Sequence, residues 1–104
     1  MLAAQRPGHP GVITLMDTES IVARAQAGDR SALVELIEAH QTQIYSLCLA
    51  IMRDPSDAAD MTQETFVRLL RSVASFRGER ATFRTWLHRL ALNVCLDGLR
   101  RCHA

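Results

Sequence analysis

An all-α fold is what this chain predicts, and three observations predict it. Apolar residues recur at three- and four-residue spacings through most of residues 18–101, which is the period of an amphipathic helix. No segment alternates apolar and polar residues as a half-buried strand does. The breaks between periodic segments fall on Gly28, on Asp54-Pro55 and on Arg77-Gly78, residue types that stop and start helices. A chain of 104 residues has apolar content for one small core and no room for a second.

The elements follow in order. Residues 1–16 contain Pro7, Gly8, Pro10 and Gly11 without helical periodicity, so a disordered leader is expected there. They lack the uninterrupted apolar run behind a basic start that a secretory signal needs. The first helix is expected over about residues 18–27, opened by Asp17 or Thr18 as N-cap and stopped by Gly28. A second follows from the Asp29 cap to about Arg53, with Leu33, Leu36, Ile37, Ile44, Leu47, Cys48 and Ile51 as its apolar stripe. His40 falls inside that stripe and reads as a core histidine satisfied by a hydrogen bond, since no other ligand type lies at metal spacing on its face.

The third helix has the clearest start. Asp54 caps, Pro55 suits the first helical position, and Asp57 adds a carboxylate near the positive end of the dipole. It should run to about residue 75, with Ala58, Ala59, Phe66, Leu69, Leu70 and Val73 on its apolar side. A short exposed loop between Phe76 and Phe83 then leads to a fourth helix, from about residue 82 to 101, with Phe83, Leu87, Leu90, Ala91 and Val94 inward.

The charge is unevenly spread. From residue 65 onward eight arginines oppose Glu79 and Asp97, a net +6, whereas residues 1–64 hold four arginines against nine carboxylates, a net −5. Such an asymmetry suggests two different partners. Every cation is arginine, suited to bidentate phosphate contact and to stacking on bases. Cys48, Cys95 and Cys102 are odd in number and form no CxxC pair, so neither a disulfide framework nor a zinc site is indicated. No segment approaches the apolar length of a membrane span, and a cytoplasmic protein is expected.

Two surfaces carry the functional expectation. On the third helix Asp60, Gln63, Glu64 and Arg71 gather on one face with Val67 set among them and Met61 at the flank, a mixture that fits a protein-docking surface. A solvated face with a stray valine is the competing reading. On the fourth helix Arg89, Asn93, Leu96 and Arg100 form one stripe with Trp86 at its edge. Arginine holds phosphates, asparagine reads base edges and tryptophan stacks. Alternatively Trp86 is core and the arginines are merely solvated. Leu92, Leu96 and Leu99 are also expected to face outward, which calls for a covering partner.

These residues resemble a family. The run Asp60-x-x-Gln-Glu-x-Phe66, then Phe76-Arg-Gly-Glu79, Phe83-Arg-Thr-Trp-Leu87, Arg89-x-Ala-x-Asn93 and Asp97-x-x-Arg-Arg101 is similar to region 2 of bacterial sigma factors of the extracytoplasmic-function (ECF) group. The likeness covers about residues 18–101. It implies a compact four-helix region 2 domain over residues 17–104 that serves transcription initiation and needs no catalysis, cofactor or metal. It implies binding of the RNA polymerase core at the β′ clamp helices through Asp60, Gln63, Glu64 and Val67. It further implies recognition and melting of the promoter −10 element, on the non-template strand, by Arg77, Arg80, Arg84, Trp86, Arg89, Asn93 and Arg100. An anti-sigma factor is a further partner of the family.

The chain departs from the family pattern in two ways. The spacing between Phe76 and Phe83 is one residue longer than is common, which leaves open which loop side chain meets a flipped base. The family normally carries a second helical domain that reads the −35 element, and no such domain is expected before Ala104. An interaction adaptor that binds polymerase without reading DNA is the alternative function. A helix-turn-helix regulator fits poorly with the long second and third helices. A metal-dependent helical enzyme lacks inward carboxylates with a Glu-x-x-His spacing.

Overall fold

The computed structural model describes residues 15–103, and there the chain is four α-helices without a strand: α1 (Leu15–Gln26), α2 (Arg30–Met52), α3 (Pro55–Ser72) and α4 (Phe83–His103), with a 3-10 turn at Val73–Ser75 after α3. The all-α expectation therefore holds. The expected leader lies outside the described residues, apart from its last two, which belong to α1. Asp17 and Thr18 accordingly sit within the helix instead of capping it, as Leu15 and Met16, both good helix formers, carry it further back.

The helix boundaries show how the sequence sets the turns. Gly28, at φ 101°, donates to the Ala25 carbonyl at 3.0 Å while the Asp29 N–H reaches back to Arg24 at 3.0 Å. This is the paired bonding of a Schellman stop, which requires the left-handed conformation that glycine adopts freely. Asp29 at once caps α2: its Oδ1 accepts from the Ser31 N–H at 2.9 Å and the Ala32 N–H at 3.3 Å. The Ser31 hydroxyl, donating to Oδ1 at 2.7 Å, and Arg24, donating to Oδ2 at 3.0 Å, hold the carboxyl down at about 2, the hydroxyl first and the guanidinium second. Arg53, in the left-handed region at φ 62°, ends α2 by donating to Leu49 O at 2.8 Å. Asp54 then caps α3 through the Asp57 N–H, with Pro55 in the first turn. Thr82 caps α4 by accepting from the Thr85 N–H at 3.1 Å.

Helix α2 packs against α1, α3 and α4, and the core lies around it. Leu36 and Ile44 from α2, Leu69 from α3 and Leu87 and Val94 from α4 are fully buried, each contributing on the order of 1.5–3 kcal/mol. Leu33, Ile37, Leu47, Ile51 and Leu90 are half-buried at its margin. His40 is buried as expected, its Nδ1 2.8 Å from Leu36 O and its ring edge-on to Phe83 at 5.4 Å. Burial lowers its pKa. Cys48 and Cys95 are free, fully buried thiols on α2 and α4. Burial first, and a hydrogen bond with Cys48 second, push the Cys95 thiol up to about 12.

One stripe differs from expectation. Ala59 and Leu70 of α3 are exposed, Leu70 by 51%, while Thr62 and Thr65 take core positions between Ala58, Phe66, Leu69 and Val73. Their hydroxyls donate to the carbonyls of Ala58 and Met61 at 2.7 and 2.8 Å, so burial leaves no polar group unpaired. With two threonines inside the arc, the buried face turns away from Ala59 and Leu70.

Candidate functional site

The partner-facing residues expected on α3 do share its outer side. Asp60 and Gln63 are exposed, and Glu64 and Val67 are half-buried. The structure adds a different neighbour on each flank. Toward α2, Gln63 and Val67 line an open groove of about 710 Å³ with Ile37, Tyr45, Phe66 and Leu70. Toward α4, Glu64 accepts from Arg68 Nε at 3.1 Å, Arg68 reaches Asp97 at 3.4 Å, and Asp97 holds Arg100 at 3.1 Å. Glu64 is thus part of a network tying α3 to α4 and is not a freely solvated charge. These pairs are surface pairs of modest energy, yet they orient the side chains they join.

The basic residues do not form a single surface. Arg77, Arg80, Trp86 and Arg89 come together in a cleft of about 440 Å³ with Ser75, Phe76, Glu79 and Ala81. Its aromatic part is a cluster in which Phe76 lies 5.4 Å from Trp86 and 5.6 Å from Phe83, ring centre to ring centre, with Trp86 5.7 Å from Phe83. Trp86 is half-buried: it packs on core aromatics and also lines the cleft. Among the described residues Arg77, Arg80 and Arg89 form no ion pair, which leaves their guanidinium groups available to an anion. Stackable rings beside unpaired guanidinium groups suit a single-stranded nucleic acid.

The remaining expected contacts lie elsewhere. Arg84 sits in a second depression with Leu47, Thr85, His88, Arg89 and Leu92, so α4 turns it away from Trp86. Asn93 is exposed one helical turn beyond Arg89. Arg100 is committed to Asp97 and stands about 16 Å along the helix from Arg89 at 1.5 Å per residue. Leu92 and Leu96 are exposed by 41% and 40%, whereas Leu99, expected outward with them, is half-buried.

Several contributors escaped the sequence reading. Phe76 was legible as an aromatic before the loop, but its tilted contact with Trp86 depends on how the loop folds back. Gln26, at the end of α1, donates from Nε2 to Val73 O and Phe76 O, both at 3.0 Å. No local pattern announces a bond across fifty residues. Asp97 had a usable signal, being one of two carboxylates in an arginine-rich half. Among the described residues no group of His, Cys, Asp or Glu side chains suits a metal ion, and no helix is long and apolar enough to cross a membrane.

Four packed helices, an acid-and-amide face on α3 and an aromatic–arginine cleft at the start of α4 define a class that the comparisons name. The family model for Sigma-70 region 2 matches residues 36–103, and the chain belongs to that family, in its ECF group. It is 40% identical over 77 residues to the ECF RNA polymerase sigma factor SigE of Mycolicibacterium smegmatis, covering 71% of this chain and 29% of that protein. It is 39% identical over 88 residues to the ECF RNA polymerase sigma factor SigM of Mycobacterium tuberculosis, covering 85% and 44%. The RNA polymerase sigma-H factor of Pseudomonas aeruginosa is 34% identical over 88 residues, covering 85% and 45%. The chain therefore spans less than half the length of each of these relatives.

Proposed function

We propose that this chain is the region 2 module of a transcription-initiation sigma factor, working through two surfaces at once. Asp60, Gln63, Glu64 and Val67 dock on the β′ clamp helices of core RNA polymerase, with the apolar groove beside Gln63 and Val67 supplying desolvated contact. The cleft of Arg77, Arg80, Trp86 and Arg89 captures the non-template strand of the −10 element. Arg84, Arg100 and Asn93 meet the DNA on either side of it. The domain so assigned is residues 17–104.

The carrying observation is the cleft, where aromatic rings and unpaired arginines meet within a chain of this family. To open a duplex, a protein must hold the melted form more tightly than the paired one, and unstacking a base costs a few kcal/mol. Stacking on Phe76 and Trp86 at about 1–3 kcal/mol per base offsets that cost, while the arginines hold phosphate. Asn93 discriminates at a base edge. No covalent step is needed.

The test is co-purification of the chain with core RNA polymerase, followed by strand selection from a randomised single-stranded pool. The expected result is one enriched strand whose complement binds more weakly. Polymerase binding without any strand preference replaces this reading with that of an adaptor. An anti-sigma factor is a further proposed partner.

A further inference from the structure

We propose that Gln26, on a helix that begins outside residues 36–103, is a positioning residue for base recognition: its amide sets where the loop places Phe76 against Trp86. This rests on the reading of the cleft as a single-strand site. Gln26 is the last residue of α1, and the end of that helix is held on every side. Gly28 and Asp29 close the Schellman stop, and Arg24 binds Asp29 at 3.0 Å and Glu35 of α2 at 3.2 Å. From this anchored end the Gln26 amide crosses to the 3-10 turn and donates both of its N–H bonds, one to Val73 O and one to Phe76 O, each at 3.0 Å. Both partners are carbonyls, so the amide orientation is unambiguous.

The two carbonyls bracket the turn. Val73 O also accepts the Phe76 N–H at 3.2 Å, and Ser75 Oγ donates to Ser72 O at 2.7 Å. Gln26 therefore clamps the backbone just before Arg77, where the chain leaves the helix, from an element outside the turn's own bonds. Phe76 is the aromatic nearest the loop and touches both Trp86 and Phe83. A shift of its carbonyl moves the ring against which a captured base would stack. Water could satisfy the same two carbonyls, since Gln26 is exposed. What water cannot supply is direction, and that is the role assigned to the amide.

The chain has one tryptophan, and it is Trp86, so its emission reports the Phe76–Trp86 geometry directly. Gln26→Glu replaces two donors with an acceptor-only carboxylate facing two carbonyls. Gln26→Ala removes the donors without placing a charge at the helix end. Gln26→Lys restores a donor. The full chain is measured with core RNA polymerase against single strands enriched by the wild-type complex and against their complements. Gln26→Glu and Gln26→Ala are expected to keep helicity and polymerase binding, to shift Trp86 emission, and to lose roughly tenfold in strand preference, the scale of one or two hydrogen bonds. The salt slope should not change, and Gln26→Lys should recover both signals.

Unchanged emission and preference in both loss variants overturn the proposal. So does an emission shift with full strand preference, which would make the clamp structural only. If the wild type itself shows no strand preference, the single-strand reading fails and the recognition role falls with it. The emission shift then still tells whether Gln26 holds the loop, which separates the two failures.

Discussion

Arg89→Ala is the sharpest test of the cleft, because the structure predicts both its size and which other arginine will not match it. Three guanidinium groups line the cleft without an ion-pair partner, those of Arg77, Arg80 and Arg89. Each phosphate neutralised on a single strand contributes about 0.7 to the slope of log affinity against log salt, so three contacts contribute about 2.1. Between about 50 and about 200 mM salt the three cleft arginines should then account for a weakening of roughly 18-fold in the wild type and the remaining two for roughly 7-fold in Arg89→Ala, with the contributions of Arg84 and Arg100 common to both. Arg100, already bonded to Asp97 at 3.1 Å, begins from a partly neutralised state, and Arg100→Ala should flatten the slope less. The assay is fluorescence anisotropy of a labelled single strand with core polymerase present across a salt series. Salt effects on polymerase docking cancel for Arg89→Ala, which lies off the α3 face; Arg100 reaches Glu64 through Asp97 and Arg68, so core polymerase affinity is measured beside it. An Arg89→Ala slope equal to wild type, or an Arg100→Ala change as large as that of Arg89→Ala, refutes the cleft as the phosphate site.

Three further outcomes are expected. Gln63→Ala should weaken core polymerase binding by about tenfold, a loss of about 1.4 kcal/mol at an interface side chain, with helicity unchanged; Glu64→Arg should also weaken it but cost some stability, since it sets two arginines side by side where Glu64 now pairs with Arg68. Loss of helical content in Gln63→Ala would make that face structural. Gly98→Ala would bring a Cβ to 2.7 Å from Met61 Sδ and 3.6 Å from Met52 Cε; both are the ends of flexible, half-buried methionines that can swing aside, so the gain in helix propensity of about 1 kcal/mol should raise the urea midpoint. A lowered midpoint in Gly98→Ala would show that the methionines cannot give way.

Stability should form a dome in pH. Asp29 titrates at about 2 in the fold, below its unfolded value near 3.9, so its contribution is full above the unfolded value and is lost as pH falls toward 2. His40 is held below 6.5, so the unfolded chain takes up a proton first and stability declines as pH falls beneath 6.5. Cys95 is raised from 9.0 to about 12, so stability is full below the ordinary thiol value and declines as pH rises past it. Urea midpoints across pH check this. His40→Gln should flatten the weakly acidic arm and Cys95→Ala the alkaline arm, and an unaltered arm in either variant counts against the corresponding group.

The helices were legible from local chemistry. Gly28, Asp29, Asp54 and Pro55 act on neighbours within a few residues, and caps and stops need nothing more distant. The 3.6-residue period likewise exposed Leu36, Ile44, Leu69 and Leu87 as core. Polarity misled at Thr62 and Thr65, because a hydroxyl bonded to a carbonyl one turn back can be buried, and that moved Ala59 and Leu70 outward. The candidate site was half legible. The identities of Arg77, Arg80, Trp86 and Arg89 could be picked out, but a count of charges treats Arg84 and Arg100 as their equals. Helix phase sends Arg84 to the other side of α4, and Asp97 occupies Arg100. The bonds from Gln26 to Val73 and Phe76 and the bridge from Arg68 to Asp97 join residues far apart in the chain. Periodicity carries the face on which a residue lies, whereas the identity of the neighbour across a helix interface depends on how the helices cross and where the loop returns, and that is decided by packing.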